Sequence, residues 1–431
     1  MKLWKKSLIS TGVIAATLLT GCAAETAENE GTEGTTEAGN QEEITLKIMT
    51  WNDNPEGTKK EQEIFDAFTE QNPHIKVEQV SATYGEYNER VLTMAAGGNL
   101  PDLVWIQPSS FGTMTDNGIL MDLSNKIEEE IDVDEYQPNI LELGQVEGTQ
   151  YAMIRDRSTV QMGYNKDLFD EMGVEYPKDD WTMDEFLDIA QQLTVKEGDR
   201  TTQFGIENFY LKELLLSYGT YILDPETAEV TFDSPEAIEA ISFSQDLINE
   251  YNVQPTGAQS EGMSNLFLSG MAAMRMTGPW DWVEYEANAD FEFDVVPLPI
   301  ANETGTLSPA SYLPIGLNAE SDYPEEAWEL LKYLTYGEGQ DIQAAITGSV
   351  PVVERNVDHV YELAGAPDNA ESLVNQLQDG SIVLNVPYHP DFPEIESRLT
   401  AVVETLNLNN TPVEEPINEL ADEVRTDFDL E

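Results

Sequence analysis

The sequence predicts an α/β fold built on a mainly parallel sheet. From Ile44 onward, strand patterns alternate with helix patterns, and this β-α-β-α-β rhythm is typical of parallel sheets. The chain has 431 residues, which is long enough for two domains of ordinary size. Cys22 is the only cysteine, so no intramolecular disulfide can form and the fold must rest on its hydrophobic core.

The first residues follow the three-part pattern of a secretory signal. Three lysines form a positive start, residues 8–19 are apolar, and small residues lead up to Cys22. A signal that ends in a small residue before a cysteine resembles the bacterial lipoprotein signal, whose cysteine is lipidated after cleavage. We therefore expect a signal peptide at 1–21 and a lipid such as palmitate on Cys22. An ordinary cleaved signal with a chance cysteine is the alternative.

Residues 22–43 are predicted to form a disordered acidic tether. They contain no aromatic side chain and no aliphatic side chain larger than alanine, so they cannot bury enough apolar surface to fold. As a random coil, such a tether would reach roughly 25 Å. No later segment approaches the roughly 18 unbroken apolar residues of a membrane span. We expect the protein to be anchored by Cys22 on the extracytoplasmic face of the cell membrane.

The chain is strongly acidic. It has 82 aspartates and glutamates against 21 lysines and arginines, a formal net charge of −61. Such a surface repels nucleic acid and anionic lipid, so nucleic-acid binding is excluded. Adaptation to a saline or alkaline medium is the favoured explanation, because the acids are spread along the whole chain. Recruitment of a cationic ligand is the alternative.

The first half of the folded region alternates predicted strands and helices. Residues 44–51 alternate apolar and polar side chains as a strand does. A helix with Ile64, Phe65 and Phe68 on one face should stop before Pro73, which cannot continue it. A strand, a helix and a strand follow at 75–77, 91–95 and 103–106.

N-cap patterns mark helix starts in the second half. Thr182 and Glu185 form a capping box. Ser234 precedes a proline and an acid, a favourable helix start, and the segment 322–325 has the same features. Further strands are expected at 162–164 and 271–274.

The sequence lacks the patterns of most enzyme classes. Its three histidines are isolated, no cysteine pair exists to bind zinc, and there is no P-loop, G-x-G-x-x-G or G-x-S-x-G motif. We therefore predict no catalytic residue, no metal site and no cofactor. A glycosidase with a carboxylate pair stays open, because acids occur everywhere in this chain.

Aromatic residues near predicted strand ends are more informative. Trp280 and Trp282 follow a Gly-Pro turn after the strand at 271–274, and a flat indole suits stacking on a pyranose ring. The alternative is that one or both tryptophans fill the core. Tyr84, Trp105 and Tyr210 also fall near strand or loop ends, where open α/β sheets bind ligands.

Four groups of motifs occur in order from about residue 44 to the C-terminus. They are Phe68–Val77 with Ala95–Asp102, Tyr164–Phe169 with Trp181–Phe186, Phe267–Met274 with Gly278–Trp280, and Pro324–Leu334 with Val350–Val352. Together they resemble the extracellular solute-binding proteins (family 1) of carbohydrate ABC importers.

This resemblance implies a two-lobe, periplasmic-binding-protein-like (type II) clamp whose chain crosses the hinge three times. The crossings are expected near 156–159, 302–308 and 351–354. The implied domain limits are 44–156 and 306–352 for the N-lobe, and 157–305 and 353–431 for the C-lobe.

The resemblance also implies a set of ligand-binding residues. The stacking tryptophan of the family corresponds to Trp280, with Trp282 as its neighbour. The other expected contacts are Asn52, Asp53, Asp156, Glu207 and Tyr210, with Tyr84 and Trp105 placed at the mouth by loop location only.

Arg155 and Arg157 are two of only eight arginines and lie in the first hinge segment. A guanidinium here could bind the carboxylate of an acidic sugar, or neutral sugar hydroxyls. Salt bridges that relieve acid crowding are the favoured alternative. Arg157 is retained among the expected ligand contacts.

The function implied by the resemblance is capture of a sugar, with an oligosaccharide favoured, and its delivery to an ABC transporter permease. Hinge closure around the ligand needs no covalent chemistry, and a monomer is expected. The alternatives are a secreted carbohydrate hydrolase, and a sensory or adhesion lipoprotein that works without a transporter.

Overall fold

The computed structural model describes most of the chain after residue 42. The described ranges are 43–51, 55–137, 140–198, 200–263, 265–302, 308–347, 349–353, 366–378, 382–383 and 389–430. The predictions for the signal peptide, the tether, Cys22, Asn52 and Asp53 lie outside these ranges. Within them, no helix is both long and apolar enough to cross a membrane.

Fourteen strands occur in the described ranges. They are β1 Ile44–Trp51, β2 Ile75–Ala82, β3 Leu103–Trp105, β4 Gln145–Val146, β5 Thr149–Gln150, β6 Ala152–Thr159, β7 Gln161–Asn165, β8 Val195–Glu197, β9 Arg200–Ile206, β10 Ala272–Thr277, β11 Phe293–Val296, β12 Ser308–Leu317, β13 Val350–Pro351 and β14 Ile382–Val383.

Fifteen α-helices occur in the same ranges. They are α1 Pro55–Gln71, α2 Tyr87–Ala96, α3 Phe111–Asp116, α4 Ser124–Glu130, α5 Lys166–Met172, α6 Met183–Gln192, α7 Leu211–Ser217, α8 Pro235–Asn249, α9 Gly257–Ser260, α10 Pro279–Asn288, α11 Pro324–Thr335, α12 Glu338–Thr347, α13 Glu371–Gln378, α14 Phe392–Asn409 and α15 Glu414–Phe428.

Two large sheets, each with its own hydrophobic core, define two lobes. The N-lobe sheet has the order β13-β6-β12-β3-β1-β2, with β14 paired to β12. The C-lobe sheet has the order β11-β7-β10-β9-β8. β1 pairs in parallel with β2 and β3, as the β-α-β-α-β rhythm predicted. The remaining strands mix both directions. The fold is therefore a two-lobe α/β clamp.

Helix packing follows the sequence patterns closely. Ile64, Phe65 and Phe68 are the buried apolar face of α1. Thr182 and Glu185 form the expected capping box of α6, and Ser234 caps α8 by accepting a hydrogen bond from the Ala237 amide.

The start of α11 differs from the prediction. Its N-cap is Tyr323, which makes no side-chain cap hydrogen bond. Ser321 takes over part of this role, because its hydroxyl accepts a hydrogen bond from the Tyr323 amide. Pro324 at N1 still sets the start of the helix, as a ring with a fixed φ should.

The chain passes from one sheet to the other within a single residue at the first crossing. β6 ends at Thr159 in the N-lobe sheet, and β7 begins at Gln161 in the C-lobe sheet. β6 thus continues three residues beyond 156, the predicted limit of the first N-lobe segment. Val353 similarly packs in the N-lobe core, where the last C-lobe segment was predicted to begin.

A β-bulge in β6 turns two charged residues toward the N-lobe helices. Ile154 pairs with Pro314 and Arg157 pairs with Tyr312, so Arg155 and Asp156 lie together opposite a single residue of β12. Such a bulge re-aims side chains. Here Arg155 reaches α1 and Asp156 reaches α12.

Arg155 forms a buried, bidentate ion pair with Glu61 of α1. The two nitrogen–oxygen distances are 2.8 and 3.0 Å, and the residues are 1% and 4% exposed. Among the two explanations considered for Arg155, the structure supports the salt bridge. Its partner lies 94 positions away in sequence.

We predict that Glu61→Gln lowers the free energy of unfolding by about 3 kcal/mol, because it leaves the Arg155 cation buried without its anion. Urea unfolding followed by tryptophan fluorescence measures the change. Glu43→Gln is the control: it breaks the exposed Lys76–Glu43 pair at 3.1 Å and should have almost no effect. Equal, small effects of both variants would contradict the prediction.

Candidate functional site

An aromatic cluster surrounds Trp51 at the carboxyl ends of the parallel N-lobe strands. The rings of Tyr84, Tyr87 and Trp105 all meet Trp51 edge-on, with centroids 5.0 to 5.5 Å away. Tyr84 is 47% exposed and forms the solvent side of this cluster. Trp51 was not among the contacts expected from the sequence, although it is the last residue of the first predicted strand.

Trp105 lies deeper than its predicted position at the mouth. It is only 6% exposed, and the Arg155 guanidinium lies over its ring at 5.4 Å from the centroid. The cation stabilises the ring through a cation–π contact in a desolvated setting. Trp105 therefore packs against Trp51 from the interior of the lobe. The aromatic surface that solvent reaches belongs to Tyr84 and Trp51.

Trp280 presents the exposed aromatic surface of the C-lobe. It follows Pro279 at the start of α10 and is 42% exposed. Its indole lies against Gly278: a Cβ atom there would be 2.3 Å from Cη2 and 2.4 Å from Cζ2 of the ring. Glycine at 278 leaves room for this arrangement, so the indole can lie against the backbone there.

Trp282 is a correction to the expected site. It is 1% exposed and packs in a small core with Val295, Val350 and Leu373. The reason is helical geometry: residues two positions apart on a helix point to nearly opposite sides, so α10 exposes Trp280 and buries Trp282. Trp282 is therefore a core residue, which was the alternative interpretation of the sequence.

Both carboxylate oxygens of Glu207 accept hydrogen bonds from other residues of the protein. One carboxylate oxygen accepts a hydrogen bond from Arg275 at 2.7 Å, and the other accepts one from the Phe267 amide at 2.8 Å. This carboxylate fixes β10 to the preceding loop, so its expected role in binding becomes a positioning role. Nearby Tyr210 is 44% exposed, and its amide donates to the Met276 sulfur at 3.2 Å.

Asp281 lies directly after Trp280 in α10. Burial raises the pKa of its carboxyl to about 6, against the opposing field of Arg275 and a hydrogen bond from Thr277. That hydrogen bond measures 3.0 Å and ties the first turn of α10 to the end of β10. This hydrogen bond therefore helps to hold in place the helix start that carries Trp280.

The two lobes approach each other near Lys212, where α7 of the C-lobe packs against β12 of the N-lobe. Lys212, in the first turn of α7, forms an ion pair with Glu396 of α14 at 2.9 Å. Burial opposes its charge, but Glu396, Tyr84 and Glu213 together raise the pKa of Lys212. Elsewhere, α10 packs against α1 and α12 of the N-lobe.

Asp156 faces α12, where Gln343 donates a hydrogen bond to its carboxylate at 2.5 Å. Burial raises the pKa of Asp156 to about 6, although Arg155 and Gln343 both favour the charged form. The residue is 8% exposed. Arg157, the next residue, is partly buried, and no described residue forms a hydrogen bond or ion pair with its guanidinium.

A groove of about 520 Å³ lies away from this site. Its lining includes Leu100 and Asp102, which precede β3, and Asn318, which follows β12. It therefore lies at the opposite end of β3 from Trp105. Within the described ranges, no group of histidine, cysteine, aspartate and glutamate side chains could hold a metal ion.

Two lobes that meet across a hinge strand, with exposed aromatic rings near their junction, define a two-lobe ligand-binding protein. The family model of the bacterial extracellular solute-binding proteins matches residues 52–341, more than half of the chain. The chain belongs to this family.

Two of the relatives are named after the oligosaccharides that they bind. The maltotriose-binding protein of Pyrococcus abyssi is 26% identical over 262 residues, which are 59% of this chain and 55% of that protein. The maltodextrin-binding protein of Bacillus subtilis is 24% identical over 211 residues, 47% of this chain and 48% of that protein. The chain thus spans about half the length of these relatives.

Solved structures match over almost their whole length. The ABC substrate-binding protein of Listeria monocytogenes in complex with cycloalternan has a TM-score of 0.82 at 25% identity, covering 90% of this chain and 99% of that one. A maltose-bound protein of T. maritima has a TM-score of 0.73 at 21% identity, covering 89% and 99%. The type II clamp expected from the sequence is confirmed.

We predict that Gly278→Ala displaces the Trp280 indole, because the added methyl group would occupy the ring position. The indole N–H resonance of Trp280, assigned with Trp280→Phe, should move in the NMR spectrum. Gly257→Ala is the matched control, since no atom lies within 4 Å of the methyl position at the start of α9. An unchanged Trp280 resonance in Gly278→Ala would refute the assignment.

Proposed function

We propose that the protein captures a sugar, specifically an oligosaccharide, and delivers it to the permease of an ABC transporter. Membership of the solute-binding family and the sugar-binding relatives support the ligand class. A lipid on Cys22 would hold the protein on the extracytoplasmic face of the membrane, within reach of the permease. Binding without covalent change is the proposed activity.

The exposed indole of Trp280 carries this proposal. An aromatic ring that is 42% exposed and packed against a glycine offers a flat surface for stacking, and an indole with few rotatable bonds loses little entropy on binding. Across the junction, Tyr84 and Trp51 offer aromatic surface from the N-lobe, and Tyr210 adds a phenol from the C-lobe. Sugar rings have apolar faces that such side chains can cover.

Closure of the clamp would follow from contacts made by one ligand with both lobes. A ligand shifts the balance between open and closed forms only by its differential affinity for them. Helices α7 and α10 of the C-lobe already pack against N-lobe elements, so a sugar between the aromatic surfaces would add contacts to an existing approach. The domain limits given above remain part of this proposal, with the first crossing moved to Val160 and Val353 assigned to the N-lobe.

Trp280→Ala should weaken binding of the best oligosaccharide about fivefold or more, because a lost aromatic stacking contact is worth about 1 kcal/mol or more. A thermal-shift screen over maltotriose, mannotriose and arabinotriose identifies that ligand, and calorimetry measures its affinity. Tyr323→Ala, which removes an aromatic ring that is 38% exposed at the start of α11, should leave affinity unchanged.

Chromatography of the incubated sugars completes this experiment. Recovery of intact oligosaccharide supports the carrier, whereas turnover would identify the hydrolase instead. If Trp280→Ala binds as tightly as the parent protein, the stacking role is wrong. If permease genes lie beside this gene, loss of sugar uptake in a strain that lacks them supports delivery, whereas unchanged uptake supports a sensory role.

Cys22→Ala should release the protein from the membrane fraction, because the chain has no other cysteine to carry a lipid. Cell fractionation with labelled palmitate measures both location and lipid incorporation. Cys22→Ser is a matched variant that should behave identically. Membrane retention of either variant would contradict lipid anchoring.

A further inference from the structure

Arg157 is an exception among the buried arginines of this chain. The other described arginines that are partly or fully buried, Arg155, Arg275, Arg398 and Arg425, each form an ion pair at 2.6 to 2.8 Å. Arg157 forms none with the described residues, and its Nε, like those of Arg155 and Arg275, is buried without a hydrogen-bond partner.

A shortage of acids does not explain this exception. The chain has 82 aspartates and glutamates, yet none of the described ones forms an ion pair with Arg157, and burial lowers its pKa. A partly desolvated cation without a counter-charge destabilises the fold. The arrangement therefore suits an anion that the described residues do not supply.

The residues beside Arg157 point elsewhere. The β6 bulge turns Arg155 to Glu61 and Asp156 to Gln343, both on N-lobe helices. Arg157 lies past the bulge, in register with Tyr312 of β12 and Val350 of β13. Its sequence neighbour Asp156 is thus engaged with Gln343.

Arg157 also lies at the junction of the lobes. Its register partner Val350 packs in one small core with Trp282 and Val295, which belong to the C-lobe segment. β6 itself leaves the N-lobe sheet two residues later. A ligand held between the lobes could therefore reach this guanidinium.

We propose that Arg157 binds the carboxylate of an acidic oligosaccharide, so that the captured sugar contains a uronic acid. The inference rests on the proposed function and names its ligand class. The terminal nitrogens of a guanidinium form a planar fork that matches the two oxygens of a carboxylate. A carboxylate would also supply the counter-charge that the described residues do not.

Matched pairs of probes test the proposal by thermal shift and calorimetry. The pairs are trimannuronate with mannotriose, trigalacturonate with galactotriose, and glucuronosyl-xylotriose with its carboxyl-reduced form; maltose 1-phosphate is added as a phosphate probe. At least one uronate should raise the unfolding midpoint more than its neutral partner, and added salt should weaken its binding.

Arg157→Gln should weaken binding of that uronate about tenfold to a hundredfold and leave the neutral partner unchanged. Arg200→Gln, which removes the same charge from an exposed position on β9, is the control. The unfolding midpoint of the ligand-free Arg157→Gln protein should stay equal or rise. A fall in that midpoint together with unchanged uronate affinity would show a structural role and overturn the proposal.

The outcomes separate this proposal from the function on which it rests. Binding of neutral sugars with no preference for any uronate refutes the acidic ligand and keeps the sugar carrier. A shift with the phosphate probe alone replaces the carboxylate by a phosphate and overturns the assignment. No shift with any probe, including maltotriose, overturns both.

Discussion

The ion pair between Arg155 and Glu61 connects the hinge strand to the aromatic surface of the N-lobe. The guanidinium joins β6 to α1 through two hydrogen bonds and lies over Trp105 at the same time. Trp105 in turn supports Trp51, which meets the exposed ring of Tyr84. Desolvation makes this charge pair costly to break, so it holds the rings as one unit. The position of an exposed side chain thus depends on a charge in the lobe interior.

The chain has few cations, and those away from the surface are mostly paired with carboxylates. With 21 lysines and arginines among 82 acids, most cations that the structure describes away from the surface meet a carboxylate. Arg275 aligns Glu207 beneath the C-lobe site, and Lys212 meets Glu396 near Tyr84. The acidic surface repels itself and is best tolerated where salt screens it. In the interior, carboxylates instead form ion pairs that connect segments distant in sequence.

Local patterns were readable from the sequence, and long-range partners were not. Periodicity located α1, and the Thr182 capping box marked α6, because these signals involve residues within one or two turns. Glu207 was expected to bind ligand, but its partners lie 60 and 68 positions away and leave no local trace. Trp282 was misjudged for a simpler reason: the Gly-Pro turn begins a helix, and helical geometry alone separates it from Trp280. Which expected contacts touch ligand stays a prediction.

The single residue between β6 and β7 limits how the lobes can move. β6 is hydrogen-bonded to β12 and β13, and β7 to β10 and β11, so neither strand can bend freely. A change of angle at this crossing must be taken up by the backbone torsions around Val160. We expect each lobe to rotate as a rigid body, with the change of angle at this crossing confined to about one peptide unit. Ligands of different length would then alter the angle of rotation, while the rotation axis stays the same.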